Sequence, residues 1–272
     1  MQGFGLMRSR YLFAALKNQL DPLQTVALTL AVRDLIKSRE HGLVGLCPSD
    51  VAFAWTSNCR GELALVAQNC GWTAPYALTG ELTVRDLQVF SAPYCIIGHS
   101  ERRLHLGESE DMIVKRLSAV VAASIVPILC VGETLDQKRS AATVDVIRAQ
   151  LAPLHKAFKS SAIAPDPAKV IVAYEPMWAI STAGSNLKAK PSDAASIHDA
   201  IRGVLDELFG FRFGAATSVI FGGSIDSRNA AAFLGRPQID GALVGAGMQT
   251  ASGFKGVLDA FYRSGGNRRL NG

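Results

Sequence analysis

Short and nearly unbroken runs of apolar residues recur along the chain, and longer segments with helical spacing of apolar residues separate them. The runs occupy residues 11–16, 43–47, 63–68, 94–98, 126–131, 170–174, 218–221 and 241–245. Continuous apolar composition, as opposed to strict alternation, is typical of parallel strands that are covered on both faces. The pattern therefore predicts eight parallel strands.

Helices are predicted in the segments between these strands, because apolar residues recur there at helical spacing. The predicted helices cover residues 23–38, 110–123, 136–158, 192–209 and 227–234. Residues that favour helix N-termini stand at four of these starts, namely Asp21 with Pro22, Ser109, Pro191 with Ser192, and Asp226.

Eight strand–helix units in 272 residues average about 34 residues each, which fits a closed (β/α)8 barrel. We therefore predict an α/β fold in which residues 1–272 form a single (β/α)8 TIM barrel domain. A doubly wound open sheet is the alternative, and it usually carries a GxGxxG sequence after its first strand. Lys17 and Asn18 follow the first predicted strand instead.

Composition narrows the class of protein without identifying it. Hydrophobic residues make up 49% of the chain and charged residues 19%, which excludes an intrinsically disordered protein. The net charge is +5, but lysines and arginines are dispersed, so no nucleic-acid partner is expected. No apolar run approaches the roughly 20 residues that a membrane span needs. Five cysteines without CxxC spacing predict reduced thiols and a cytoplasmic protein.

Polar residues follow several of the predicted strands directly. Lys17 follows the first strand, His99 the fourth and Glu175 the sixth, and small residues follow the seventh and eighth at 222–224 and 245–247. In (β/α)8 barrels the carboxyl ends of the strands form the active-site face. We therefore expect these residues to share one site.

Each of the three side chains has a functional and a structural interpretation. Glu175, partly desolvated at the barrel mouth, can serve as a general base, or it can be an ion-paired residue at a strand end. His99, before a helix start, is expected to be neutral and to donate to a carbonyl, with a structural histidine as an equal alternative. Lys17 offers a positive charge to a developing oxyanion, although most lysines are simply solvated.

The small residues after the last two strands predict an anion site. Backbone N–H groups at 222–224 and 245–247 can form a nest for a phosphate group, although either loop alone can equally be a tight turn. The GxxxxGK[ST] motif of P-loop proteins and the HExxH motif of zinc proteases do not occur in the chain.

Seven stretches of the chain, taken together, resemble the triosephosphate isomerase family. They are LALVAQNC (63–70), LTGEL (78–82), YCIIGHSERR (94–103), ILCVGETLD (128–136), AYEPMWAI (173–180), FGGSI (221–225) and IDGALVG (239–245). GHSERR together with YEPMWAI is the most specific combination. On these motifs the chain is identified as a divergent member of the family.

The resemblance implies an aldose–ketose isomerase of glycolysis and gluconeogenesis that interconverts dihydroxyacetone phosphate and glyceraldehyde 3-phosphate. Glu175 would remove a proton, His99 would donate to the carbonyl oxygen and shuttle the proton, and Lys17 would stabilise the enediolate. The backbone N–H groups that would hold the phosphate belong to Ser181, Ala183, Ser224, Gly245 and Ala246. The resemblance implies no metal and no organic cofactor. It also implies a cytosolic homodimer with the loop after the third strand inserted into the partner.

Several positions depart from the family pattern. Ala15 stands where the family has an asparagine at the end of the first strand, and Ala74 replaces a threonine in the dimer loop. The lid at 180–183 reads Ile-Ser-Thr-Ala in place of Ile-Gly-Thr-Gly, and a longer stretch follows it. Phe221 replaces a tyrosine that latches the lid, and Ala246 replaces a glycine of the phosphate loop.

These departures leave two alternatives to the triose phosphate reaction. One is the same chemistry on a related ketose phosphate, such as erythrulose 1-phosphate, because Ala15 and the longer lid both alter room in the pocket. The other is a non-catalytic member of the family that binds a ligand. The presence of Lys17, His99 and Glu175 together argues against the second alternative.

Overall fold

A computed structural model of the chain describes residues 8–36, 41–72, 79–180 and 187–265. Within these ranges eight parallel strands close into a barrel in chain order, and the last strand pairs with the first. The predicted (β/α)8 TIM barrel is therefore confirmed. The strands are β1 (Tyr11–Ala15), β2 (Leu43–Cys47), β3 (Ala64–Ala67), β4 (Tyr94–Ile97), β5 (Val126–Val131), β6 (Ile171–Tyr174), β7 (Ser218–Gly223) and β8 (Gly241–Val244).

Helices follow the strands and pack against the outside of the barrel. They are α1 (Pro22–Arg33), α2 (Asp50–Cys59), α3 (Val84–Val89), α4 (Ser100–His105), α5 (Glu110–Ala122), α6 (Leu135–Arg139), α7 (Thr143–Ser161), α8 (Pro191–Phe209), α9 (Phe213–Ala216), α10 (Ala230–Leu234) and α11 (Ala251–Arg263). No helix in the described ranges is long and apolar enough to cross a bilayer.

The strands separate two hydrophobic cores, because successive side chains of a strand point to opposite faces. In β1, Phe13 and Ala15 belong to the core inside the barrel, whereas Leu12 and Ala14 belong to the core between strands and helices. Burial on both faces explains why the strands are continuously apolar in sequence. It also places Ala15 directly beneath the rim at which β1 ends.

The predicted helix starts are correct where a capping side chain precedes an amphipathic segment. Asp21 accepts a hydrogen bond from the Gln24 N–H at the start of α1, and Ser109 accepts one from the Met112 N–H at the start of α5. Asp226 differs, since α10 begins only at Ala230. Its carboxylate instead accepts N–H groups of the turn that precedes this helix.

The segment predicted as one helix over 136–158 forms two helices, α6 and α7. Ala141, between them, has a φ of +59°, a left-handed conformation that a helix cannot contain. Neither glycine nor proline marks this break, so the sequence carries no strong signal for it. The predicted helix over 23–38 likewise ends earlier, at Arg33.

Candidate active site

Three side chains predicted from separate parts of the sequence meet at the carboxyl ends of the strands. Lys17, His99 and Glu175 line one cavity, together with Gly245. Glycines 222 and 223 at the end of β7 complete one wall, and Ala15 lies below. The structure therefore brings together three side chains that are up to 158 positions apart, the interval between Lys17 and Glu175.

Glu175 is a buried carboxylate immediately after β6. Its backbone N–H donates to the Val131 carbonyl at 2.7 Å, and only 3% of the residue is exposed. Oε2 accepts a hydrogen bond from the Ser100 N–H at 3.1 Å, and Oε1 lies 3.3 Å from Nε2 of His99. Within the described residues, no lysine or arginine forms an ion pair with this carboxylate.

Two features of the neighbouring strands position Glu175. A Cβ atom on Gly222 would lie only 2.6 Å from Cγ of Glu175, so this glycine leaves the space that the side chain occupies. The Cys130 thiol of β5 hydrogen-bonds Glu175 from within the barrel. Burial, and secondarily the Glu175 charge, raise the pKa of this thiol well above its ordinary range, so Cys130 stays protonated.

His99 occupies the N-cap position of α4, as its sequence position suggested. Its Nδ1 accepts a hydrogen bond from the Glu101 N–H at 3.2 Å. A nitrogen that accepts carries no proton, so the ring in this arrangement is neutral with its proton on Nε2. The Nε2–H group therefore faces Glu175 and the cavity, where it can donate to a bound oxygen atom.

Lys17 directs its ammonium group toward the same cavity. Nζ forms an ion pair with Oε1 of Glu101 at 2.6 Å, and both side chains are only partly exposed. A Cβ on Gly245 would lie 3.8 Å from Cε of Lys17, so the lysine side chain passes close to the loop after β8. The ammonium group therefore lies between the imidazole side of the site and the glycine loops.

The loops after β7 and β8 contact each other through a glycine. A Cβ on Gly247 would collide with the Ile225 carbonyl, so the close approach requires the missing side chain. Ala246 begins a single 3-10 turn over Ala246–Met248, and the first N–H groups of such a turn have no acceptor within it.

Ser224 is exposed beside Gly223, and its hydroxyl donates to the Ala179 carbonyl at 2.9 Å. Ser181 and Ala183 lie outside the described residues.

Glu133, which follows β5, was not singled out from the sequence although it is fully buried beside the site. It accepts hydrogen bonds from the Tyr174 hydroxyl at 3.1 Å and from the Trp178 indole N–H at 2.8 Å. Lys138 of α6 stacks on the Trp178 ring at 4.3 Å. The indole N–H thus binds Glu133, and this carboxylate holds the segment that follows Glu175. The sequence signal that could have identified Glu133 is a carboxylate two residues after a buried strand.

A second, larger cavity of about 360 Å³ opens next to the first. Ala15, Lys17 and His99 line both cavities, and Gln68 and Leu106 line only the larger one. As a potential metal site, the region offers little: the described part of the chain contains no group of three His, Cys, Asp or Glu side chains arranged to ligate an ion.

Comparison with known proteins assigns the family. The family model described as triosephosphate isomerase matches residues 11–261. A triosephosphate isomerase of Solibacter usitatus is 33% identical over 240 residues, covering 88% of this chain and 94% of the relative. A triosephosphate isomerase of Chloroherpeton thalassium is 31% identical over 261 residues, covering 93% of this chain and 98% of the relative.

A third relative, named a cytosolic triosephosphate isomerase, comes from Oryza sativa. It is 37% identical over 189 residues, which cover 70% of this chain and 71% of the relative. The matches thus extend across almost the whole barrel, including the strand ends that carry Lys17, His99 and Glu175. The chain belongs to the triosephosphate isomerase family.

Proposed function

We propose that the chain is an aldose–ketose isomerase that interconverts dihydroxyacetone phosphate and glyceraldehyde 3-phosphate by enediolate proton transfer. The observation that carries the proposal is the arrangement of Glu175 and His99. A buried carboxylate with no lysine or arginine partner among the described residues lies 3.3 Å from the Nε2 atom of an imidazole. The family assignment and the names of the relatives support the same reaction.

Each group has a distinct task in this reaction. Glu175 removes a proton from the carbon next to the substrate carbonyl, and the Nε2–H group of His99 donates to the carbonyl oxygen. The resulting enediolate carries negative charge, which the Lys17 ammonium group stabilises electrostatically. Glu175 then returns the proton to the neighbouring carbon, while His99 moves a proton between the two oxygens.

In this proposal the substrate phosphate binds at the loops after β7 and β8. Backbone N–H groups of Ser224, Gly245 and Ala246 would donate to it, and an array of such groups favours an anion without a metal. We further propose that Ser181 and Ala183 contribute to this site, although both lie outside the described residues. No metal or organic cofactor has a task in these steps.

A coupled assay with dihydroxyacetone phosphate tests this function, with Glu175→Gln as the matched control. Because glutamine keeps the shape but cannot accept the proton, kcat should fall by about 10²–10⁴-fold or more, with phosphate binding retained. Erythrulose 1-phosphate forms a second arm. If only erythrulose 1-phosphate is turned over, the four-carbon sugar is the substrate and dihydroxyacetone phosphate is not. Turnover of neither sugar would refute the isomerase function.

We also propose that the protein is a cytoplasmic homodimer built from one barrel domain per chain. The segments after β2 and β4 begin at the active-site end and carry exposed apolar residues in α2, in α4 and just after α4. Val51 is 77% exposed, Leu104 52% and Leu106 64%. Leu106 lines the cavity of about 360 Å³, which a segment of a second copy can fill. The family resemblance assigns that segment to the loop after β3, of which residues 73–78 lie outside the described ranges.

Sedimentation velocity of the purified chain tests the dimer. A Leu106→Glu variant places a charge in the proposed interface and should shift the protein toward monomer, with a matching loss of activity. Ile163→Glu is the control, because Ile163 is 39% exposed between α7 and β6, at the amino ends of the strands. A wild-type monomer with full activity would contradict the proposal.

A further inference from the structure

Lys17 has a backbone conformation that residues with a side chain rarely adopt. Its φ is +53°, in the left-handed region that favours glycine. Tertiary contacts must hold such a conformation, and it recurs at functional sites for that reason. The contacts of the Lys17 main chain therefore bear on where its ammonium group lies.

Gln68, in the loop after β3, makes such a contact. Its side-chain amide donates one hydrogen bond to the Lys17 carbonyl at 2.8 Å and another to the Cys47 carbonyl at 3.0 Å. Cys47 ends β2, and its carbonyl also accepts the Leu16 N–H at 3.0 Å. A single amide group thus joins the ends of three adjacent strands at the residue where the lysine side chain begins.

The position of the Lys17 side chain depends on this anchor in a simple way. Its far end is held by the ion pair with Glu101, and its near end by the left-handed turn whose carbonyl Gln68 binds. Without the amide, the turn can relax to a more common conformation, and the ammonium group then moves relative to His99. Displacements of about 1 Å at reacting groups can cost roughly 10²-fold in rate.

We propose that Gln68 is a positioning residue, which fixes the main chain of Lys17 and thereby aims its ammonium group at the substrate oxygens. This inference rests on the proposed isomerase function. Gln68 acts through the lysine carbonyl, so its removal matters only while a lysine stands at position 17.

A double-mutant cycle tests the inference. The variants are Gln68→Met, which keeps the length but cannot donate, Lys17→Met, and the two combined. The measurements are kcat/KM and the affinity for 2-phosphoglycolate, whose carboxylate resembles the planar enediolate. Gln88→Met is the matched control, because Gln88 also donates to a main-chain carbonyl, that of Ala123, but at the exposed end of α3.

We expect Gln68→Met to lower kcat/KM by about 10–100-fold. In the Lys17→Met background, the same change should alter kcat/KM and analogue affinity by less than about 2-fold. Fully additive effects, or an effect no larger than that of Gln88→Met, would overturn the inference and leave the isomerase function intact. An inactive wild-type enzyme would instead remove the function on which the inference rests.

Discussion

Two buried carboxylates at opposite ends of the same barrel have opposite surroundings. Asp240 precedes β8 at the amino end and is fully buried. It binds Arg8 at 2.9 Å, Arg202 at 2.6 Å and the Val219 N–H at 2.9 Å. Glu175 at the carboxyl end is nearly as buried, but it accepts hydrogen bonds from the Ser100 N–H and the Cys130 thiol, and Nε2 of His99 lies 3.3 Å from its Oε1.

The difference shows what separates a structural carboxylate from one available for proton transfer. Burying a charge is costly, and two guanidinium groups offset that cost at Asp240. Both carboxylate oxygens of Asp240 are therefore occupied by guanidinium groups. Glu175 lacks such partners among the described residues, so its environment favours the base that we propose.

The largest expected effect on stability is at the amino end of the barrel, where Asp240 lies (the Asp240 end). Asp240→Asn removes the carboxylate that pairs with Arg8 at 2.9 Å and with Arg202 at 2.6 Å, and it leaves Arg202 only the more distant Asp199 at 3.8 Å. The free energy of unfolding should therefore fall by about 3–5 kcal/mol. Urea denaturation followed by circular dichroism measures this change. Glu175→Gln removes a buried charge that no lysine or arginine of the described residues pairs with, and it should not destabilise the protein. Equal losses in both variants would contradict the contrast between the two ends.

Moving Glu175 without changing its charge should affect activity next most strongly. In Gly222→Ala the new methyl group would lie 2.6 Å from Cγ of Glu175, so the carboxylate must shift. We expect kcat/KM to fall by about 10²-fold, because reacting groups tolerate little displacement. Gly203→Ala in α8 is the control, since its methyl group would meet no atom within 4 Å. Unchanged kinetics in Gly222→Ala would show that the position of Glu175 is not critical.

The Asp240 end should also make stability depend on pH. His198 lies fully buried beside this cluster, and burial, followed by the nearby Arg202 charge, lowers its pKa from 6.5 to about 3. The unfolded chain therefore binds more protons than the native protein between these values. The stabilising contribution is complete above pH 6.5 and is lost as the pH falls toward 3.

His198→Asn isolates this contribution, because asparagine can still donate to the Gln238 carbonyl but does not titrate. The difference in unfolding free energy between wild type and variant should shrink by about 2–3 kcal/mol between pH 7 and pH 4.5. Urea denaturation at both pH values measures it. A difference that stays constant with pH would contradict a buried neutral His198.

The smallest expected effect concerns Phe221 near the Glu175 end. Phe221 stacks on Phe233 with ring centroids 4.6 Å apart, and it borders a cavity of about 300 Å³ shared with Ser224. Phe221→Tyr adds a hydroxyl there, and one new hydrogen bond should change kcat or phosphate-analogue affinity by about 2–10-fold. Phe211→Tyr, at a residue that is 89% exposed, is the control. No change would count against a latching function at position 221.

Much of the fold could be predicted because the apolar pattern of each strand segment agrees with the burial of that strand in the barrel. The eight strands are continuously apolar, and their observed bounds differ from the predicted ones by at most two residues at either end. Helix α11 was missed although Phe254, Val257, Leu258 and Phe261 are buried at helical spacing, a signal that the sequence does contain. The break at Ala141 had no such signal, because an alanine stands where a helix-ending glycine is usual. Its left-handed conformation lets the Ala142 N–H donate to the Gln137 carbonyl at 2.9 Å and so ends α6.

Only those site residues that directly follow a strand could be predicted, because the end of a strand fixes where such a residue lies in a barrel. Lys17, His99 and Glu175 were expected together because parallel strands present their carboxyl ends at one face. The supporting residues Gln68, Glu101 and Glu133 received no role, since the hydrogen-bond partners of their side chains lie 21 to 84 positions away, in contacts that no local pattern encodes.

The amino-acid sequence by itself determined the barrel and the rim at which its polar residues gather, because strand burial and strand order follow from local apolar pattern. The tertiary structure alone decided which buried carboxylate is neutralised. Arg8 reaches Asp240 across 232 positions, while no such cation reaches Glu175 from the described residues. Charge pairing depends on distances in space, and distant segments acquire those distances only when the barrel closes.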